Sequence, residues 1–406
     1  MGYTVDVLKG ISWIGGIRVI TRVVSIVRTA IIARILSPSQ VGLFGIAALM
    51  LSLLEIFTET GINIFLIQQK NKTDSYINTA WVVSIARGII IALVILFFAP
   101  LISAFFNASD SRALLMMIAT VPLVRGFINP SVAKFFKDLH FSKEFYYRTS
   151  IFFVESLITV VFVFVLNSPA GLVFGLIVGA VYEVILSFII VTPIPRFIFN
   201  REQFLTVIHH GKWLTLAGVF NYLYHNGDNI VVGKLLGVTS LGLYDIAYRI
   251  STLPISEISD TIVKVTFPVY VKISEDKKRL RRALIKATAL ITIFVIPIGL
   301  ILFIFPEYII RTLLGDQWIS AAPALQILAV FGIVRAIFFS PVAIFYGLSR
   351  QDIITLITFV SLVGMAATII PFVKLWDLQG AAYAALVGTI LAIPVTLYYL
   401  RKVLYE

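Results

Sequence analysis

LIKATALITIFVIPIGLILFIF (Leu284–Phe305) decides the fold. After Lys286 it reaches Phe305 without an ionisable side chain. About 20 apolar residues, rising 1.5 Å each, cross the hydrocarbon core of a bilayer. Lipid-exposed irregular backbone is not tolerated at that depth, so only helices or a closed barrel span. The run is too long and too uniformly apolar for barrel strands, which need alternation with period two. Eleven further segments read in the same way, at about 11–35, 41–67, 75–99, 112–136, 145–167, 170–193, 213–236, 241–270, 321–346, 352–373 and 380–400. The reading is an all-α polytopic membrane protein with about twelve transmembrane helices.

Composition agrees. The chain has 406 residues, 59% hydrophobic and 13% charged, with mean hydropathy +0.98. A soluble domain has roughly 45–50% apolar and about 25% charged residues. A water-soluble enzyme is excluded. Arg18, Arg22 and Arg28 interrupt the first segment, which therefore reads as a span and not as a cleaved signal peptide. With no cysteine, disulfides and thiolate metal sites are excluded, and no metal site is expected.

The net charge of +12 would suggest nucleic acid in a soluble protein. Here it reports orientation. With a cytoplasmic N-terminus and alternating spans, twenty cations fall on the inner side, among them Lys70, Lys72, Lys134, Lys137, Arg148, Arg196, Arg201 and the run Lys277–Arg282. Five fall outside: Arg34, Arg112, Lys234, Arg311 and Lys374. That asymmetry obeys the positive-inside rule and puts both termini in the cytoplasm. The run KKRLRR fits contact with anionic lipid or docking of a partner. The longest outer loop, near Pro306–Ala322, has room for only a small helix.

The chain repeats itself at an offset of 200. Leu36, Gly42, Leu43, Ile46 and Ala47 recur as Leu236, Gly242, Leu243, Ile246 and Ala247. Six helices separate the copies, and an even number preserves orientation, so the halves are parallel repeats. The expected organisation is an N-terminal six-helix lobe (1–195), a cytoplasmic linker (196–212) and a C-terminal six-helix lobe (213–406). Trp13, Trp213, Tyr146 and Tyr147 are expected at the membrane interfaces. His209 and His210 sit in the linker and read as surface residues. Pro122, Pro254, Pro297 and Pro341 interrupt spans and can kink them.

Charges at membrane depth are expensive and mark cavities or partners. Arg22, Glu55, Arg87, Arg125, Glu155 and Glu183 lie near the midplanes of the six helices of the first half. The second half has Asp228, Arg249, Glu257, Asp260, Lys264 and Arg335. Arg18 and Arg22 are one turn apart, as are Glu55 and Glu59 on the next helix, at matching depths. They read either as ion pairs closing a hairpin or as arginines free to hold an anion. Arg28 and Asp228 occupy equivalent repeat positions. They read as a structural pair or as a gate between the halves. Asn221, His225 and Asp228 make a polar helix, either a cavity wall or a cation or proton site. Arg18, Arg22, Arg28 and Arg34 are spaced 4, 6 and 6, which forms no single stripe and argues against a voltage sensor. Arginine suits a pyrophosphate, because its fork binds phosphate oxygens bidentately and never deprotonates. The candidate substrate-binding residues are Arg18, Arg22, Arg28, Arg87, Arg125 and Arg249. The candidate gate or coupling residues are Glu55, Glu59, Asp228, Asn221 and His225.

The opening GISWIGGIRVITRVVSIVRTAIIARILSPSQVGLFGIA (Gly10–Ala47) resembles polysaccharide flippases of the O-antigen type. These belong to the multidrug/oligosaccharidyl-lipid/polysaccharide exporter superfamily. Further likeness lies in TGINIFLIQQK (Thr60–Lys70), FFAPLISAFF (Phe97–Phe106), LGLYDIAYRISTLP (Leu241–Pro254) and KVTFPVYVKIS (Lys264–Ser274). The resemblance implies two lobes around a central cavity, and a substrate made of a polyprenyl-pyrophosphate carrier bearing an oligosaccharide. It implies alternating access, with H+ or Na+ coupling in some relatives and no bound cofactor. Related lipid II flippases use cavity arginines on the first and eighth helices, which here carry Arg18, Arg22, Arg28 and Arg249.

The expectation is a non-enzymatic flippase in a bacterial or archaeal cytoplasmic membrane, working as a monomer for cell-surface polysaccharide synthesis such as O-antigen and lipopolysaccharide. Its expected partners are the lipid-linked glycan, membrane lipids, and a polysaccharide polymerase or glycosyltransferase, with no nucleic acid. The alternatives are an ion-coupled drug or cation antiporter, whose site would be acidic and aromatic, and a membrane glycosyltransferase or polymerase, which needs a larger outer loop.

Overall fold

The computed structural model describes residues 3–58, 66, 73–348 and 350–405, and only the backbone of 3–15, 17–19, 73 and 206–217. The described residues form helices and no strand. They divide into two compact units, Met1–Val219 and Phe220–Glu406.

The N-terminal unit begins with α1 (Tyr3–Ile35) and α2 (Pro38–Phe57). Ser37 and Gln40 form a reciprocal capping box at the start of α2, with Pro38 in the first turn where its missing N–H costs nothing. Then come α3 (Thr73–Phe105), α4 (Ser111–Ile118) and α5 (Thr120–Arg125). A 3-10 turn (Pro130–Ala133) leads into α6 (Lys134–Lys137). The span from Ser111 to Arg125 bends by 71° into Pro130–Lys137. The break falls between these segments, where the Asn129 side chain accepts from Ser131 N and caps a new turn that starts at Pro130. The unit ends with α7 (Phe141–Leu166), α8 (Ala170–Ile190) and the first part of α9 (Arg201–Leu236).

The C-terminal unit holds the rest of α9, then α10 (Val238–Lys272), α11 (Lys277–Ile304), α12 (Pro306–Leu313), a 3-10 turn (Asp316–Ala321), α13 (Ala322–Phe338), α14 (Val342–Gly347) and α15 (Gln351–Tyr405). The last is two helices meeting at Trp376 and Asp377, where Asp377 has φ +47°. The loop near Pro306–Ala322 does hold only short helices. Pro254 and Pro297 lie within continuous helices, whereas Pro341 sits at the break between α13 and α14.

Seven described helical segments are long and apolar enough to cross a membrane, and the bent pair makes eight. Counting α15 as two, and adding the long but charge-bearing α1, α9 and α10, gives the twelve expected spans among the described residues. Phe97 and Phe164 are about three-quarters exposed (74% and 75%), as side chains facing lipid are.

The repeat has a physical basis. Gly42, Ile46 and Ala47 are buried on α2, and Gly242, Ile246 and Ala247 are buried on α10. The recurring residues are those on which the second helix of each unit packs. The division between units falls inside α9 and not at a separate linker, since residues from Arg201 onward are helical. The stretch before α9 is tied down: Pro193 O accepts from Ser131 Oγ at 2.9 Å, and Arg196 N donates to Asn78 Oδ1 at 2.8 Å.

Between α7 and α8 the packing uses a motif passed over in the sequence, Gly171-x-x-x-Gly175-x-x-x-Gly179. Lipid tails are as apolar as leucine, so helices in a membrane associate through close backbone approach at small residues. A Cβ on Gly171 would lie 2.5 Å from Val163 N, and one on Gly175 would lie 1.8 Å from Thr159 Oγ1 and 2.9 Å from Thr159 Cα. The Thr159 hydroxyl is held by Glu155 O at 2.7 Å, so it cannot swing away without losing that bond. Gly175→Ala should therefore lower stability by about 1–3 kcal/mol, the usual cost of overpacking. Gly16→Ala, whose Cβ would meet Phe145 at an ordinary 3.4 Å, should leave the thermal midpoint in detergent unchanged. Equal midpoints for the two variants would refute the α7–α8 account.

Candidate functional site

The N-terminal unit contains a cavity of about 710 Å³, lined by α2, α3, α5, α6, α7 and α8. Three arginines (Arg87, Arg125, Arg148) and three glutamates (Glu55, Glu144, Glu183) face it. Two glycines explain how two of the arginines come together. A Cβ on Gly88 would fall 2.3 Å from Pro122 O, and one on Gly126 would fall 3.0 Å from Ser84 O. The backbones of α3 and α5 thus nearly touch, and the residues just before these glycines are Arg87 and Arg125.

Arg87 serves the end of α2. The last turn of a helix leaves carbonyls unpaired and carries a partial negative charge. Arg87 Nη2 donates to Glu55 O at 2.5 Å, and Nε donates to Thr58 Oγ1 at 3.1 Å. Thr58 in turn donates to Leu54 O at 2.6 Å. Arg125 Nη1 meets the Glu55 carboxylate at 3.4 Å, while Arg125 Nε is buried without a hydrogen-bond partner. On α7, Glu144 is almost completely buried and holds Arg148, one turn along. Tyr147 is buried, and the Glu183 carboxylate acts on its hydroxyl. Among the described residues, Glu183 makes no ion pair within 4 Å.

Several sequence expectations change. Glu55 is engaged by Arg125 and Arg87, where Arg22 had been the expected partner; Arg22 is half-buried on α1. Arg18 and Glu59, with Trp13, Trp213, His209 and His210, fall outside the described side chains. Arg28 is bound to α7: its Nη1 meets Glu155 Oε1 at 3.2 Å and Ser156 Oγ at 3.4 Å, and its guanidinium lies over Phe152 at 5.3 Å. Asp228 is buried and accepts from Tyr244 Oη at 2.8 Å and from Asn229 N at 2.9 Å. Arg28 and Asp228 each have a partner within their own unit, which differs from the expected pair across the repeat. Arg249 is paired one turn away with Asp245 at 2.9 Å and is half-exposed. Asn221 is exposed on α9, and His225 contacts Arg335.

The structure also brings in residues that the sequence reading passed over. Arg148 was counted as an inner-side cation and Tyr147 as an interface anchor. Tyr147 is only 2% exposed, whereas its neighbour Tyr146 is 64% exposed, as an anchor would be. The signal was present in the spacing: Glu144, Tyr147 and Arg148 lie three and four residues apart, on one helical face.

Comparison with known proteins bears on this arrangement. The model of a family described as "Polysaccharide biosynthesis protein" matches residues 31–323. The chain is 25% identical over 332 residues to the lipopolysaccharide biosynthesis protein WzxC of Escherichia coli (strain K12), covering 81% of this chain and 68% of that one. It is 22% identical over 346 residues to the teichuronic acid biosynthesis protein TuaB of Bacillus subtilis (strain 168), covering 82% and 70%. Among solved structures it is similar to the lipid II flippase MurJ in an inward closed conformation, with TM-score 0.78 and 15% identity over 95% of this chain and 87% of that one. It is also similar to an inward-facing multidrug resistance transporter of the MATE family, with TM-score 0.73 and 15% identity over 95% and 94%. The solved structures establish a shared transporter fold of twelve helices. A multi-pass helical membrane protein matched over most of its length in this way belongs to the polysaccharide biosynthesis protein family.

Proposed function

We propose that this protein is a flippase that carries a polyprenyl-pyrophosphate-linked oligosaccharide from the inner to the outer leaflet by alternating access. The observation that carries the reading is the cluster of Arg87, Arg125 and Arg148 around one cavity. Family membership and the transporter fold support it. The size is suitable, since small-molecule sites run to roughly 300–1,000 Å³. A drug or cation antiporter would be served by acidic and aromatic walls, not by three guanidinium groups.

The lining carries as many glutamates as arginines, which shapes the mechanism. An arriving pyrophosphate takes the place of Glu55 at Arg125, whose Nε is already unused. Glu55 then needs a proton or another cation, and this exchange is where H+ or Na+ coupling would enter. A ligand shifts a conformational equilibrium only by binding the two states differently, and swapping a glutamate for a pyrophosphate does this. A membrane potential, negative inside, favours outward movement of the anionic headgroup by about 2.3 kcal/mol per charge per 100 mV. The apolar tail stays in lipid throughout. Delivery of glycan to a polymerase or glycosyltransferase outside would complete the route.

Two experiments test this reading. In proteoliposomes supplied with a polyprenyl-pyrophosphate-linked disaccharide, Arg125→Ala should slow flipping at least about tenfold, the equivalent of 1.4 kcal/mol. Glu55→Gln should tighten lipid binding but weaken the response to an imposed ion gradient. Wild-type rates in Arg125→Ala would overturn the cavity's role. For orientation, single cysteines introduced near each terminus of this cysteine-free chain should react with impermeant maleimide only from the cytoplasmic side.

A further inference from the structure

Arg28, Arg87, Arg125 and Arg148 of the N-terminal unit lean on carboxylates or helix carbonyls. Arg335, on α13 of the C-terminal unit, does neither. Its Nη1 donates to Tyr248 Oη at 3.3 Å, and its Nη2 lies 3.4 Å from both ring nitrogens of His225. Its guanidinium carbon lies 5.6 Å from the centroid of the Tyr224 ring and 5.9 Å from that of Phe331. Among the described residues no carboxylate lies within ion-pair distance of it; Asp260 acts on it from further away. Asp228 is committed to Tyr244 and to backbone.

Aromatic faces steady a cation but do not neutralise it. A guanidinium has five N–H donors, and the contacts above occupy only part of them. An uncompensated charge at membrane depth is costly. Beside it is a second unsatisfied group: the Tyr224 hydroxyl is buried with no hydrogen-bond partner. Both can donate, and a single acceptor carrying negative charge would answer the guanidinium charge and the phenol O–H together. A planar fork matches a phosphate or carboxylate bidentately, and a neighbouring phenol adds a third bond.

We infer that Arg335, with Tyr224, His225 and Tyr248, forms an oxyanion-binding site in the C-terminal unit, which takes a phosphate or carboxylate group of the transported glycolipid. This rests on the proposed function but names a different site from the N-terminal cavity. His225 and Tyr248 position the guanidinium, and Arg335 and Tyr224 make the contact.

The test measures binding of two defined lipids to the full chain in nanodiscs. One is polyprenyl pyrophosphate with a neutral disaccharide, and the other is the same lipid with one sugar replaced by a uronic acid. Arg335→Met should weaken binding about tenfold, with Arg335→Lys intermediate because it keeps the charge but not the fork. Tyr224→Phe should weaken binding about threefold, in line with the loss of one neutral hydrogen bond. Without lipid, the thermal midpoint of Arg335→Met should stay level or rise, because an uncompensated charge has gone. A purely structural arginine would give the reverse, a lower midpoint with unchanged binding. Equal loss on both lipids assigns the site to the phosphate, and loss confined to the uronate lipid assigns it to the sugar carboxylate. If Arg335→Met does not fold, Arg335→Lys and Tyr224→Phe decide. Unchanged binding of both lipids in the folded variants overturns the site. If Arg125→Ala still loses binding in that case, the proposed function stands; if it also binds normally, both readings fall.

Discussion

Hydrocarbon offers no hydrogen bonds, so each charge drawn into it must be answered from within the protein or by something the protein binds. Most of this molecule's polar architecture follows from that constraint. Arg28 ties α1 to α7 through Glu155 and Ser156. Arg87 closes the open end of α2, and Arg125 reaches Glu55 from α5. Arg249 pairs one turn away with Asp245. These contacts are structural before they are functional. Those of Arg28, Arg87 and Arg125 join helices that have no hydrophobic reason to prefer each other over lipid.

The same constraint explains the glycines. Where hydrophobicity cannot drive helices together, close contact must, and close contact needs small residues. Gly171, Gly175 and Gly179 let α8 lie against α7, while Gly88 and Gly126 let α3 and α5 nearly touch. The second approach has a chemical consequence. It sets Arg87 on the backbone carbonyl of Glu55 and Arg125 on its carboxylate, and over the whole lining three arginines face three glutamates, a balance that an arriving anion can exchange. Neutrality of the lining is thus a property suited to a carrier. A cavity of unopposed arginines would bind an anion tightly in every state and release it slowly.

Much of the fold was legible in the residues. Long apolar runs with no alternation can only be helices in a bilayer, and the recurrence of Gly42, Ile46 and Ala47 at Gly242, Ile246 and Ala247 marked the packing face of each unit. Depth counting also found Glu55, Arg87, Arg125 and Glu183, all of which line the cavity. It failed on partners. Equal depth on adjacent helices suggested Arg22 for Glu55, but a pair also requires facing sides. The rotation of α2 turns Glu55 toward α3 and α5. It failed at Tyr147 and Arg148 for the opposite reason: they stand near a helix end, where aromatic and basic residues ordinarily serve as anchors, yet the bend at Asn129 and Pro130 brings that end against the cavity.

By itself, then, the sequence determined the solvent and the number of spans. These depend on hydropathy and on a fixed rise per residue, and both are local quantities. Only the tertiary structure decided which charges meet. Azimuth around each helix axis is set by glycine contacts, proline breaks and the facing side chains of other helices, none of which is local. Arg28 and Arg335 show the difference. Both read as arginines within apolar helices, but one is answered by a glutamate from α7 and the other by aromatic rings, a tyrosine and a histidine.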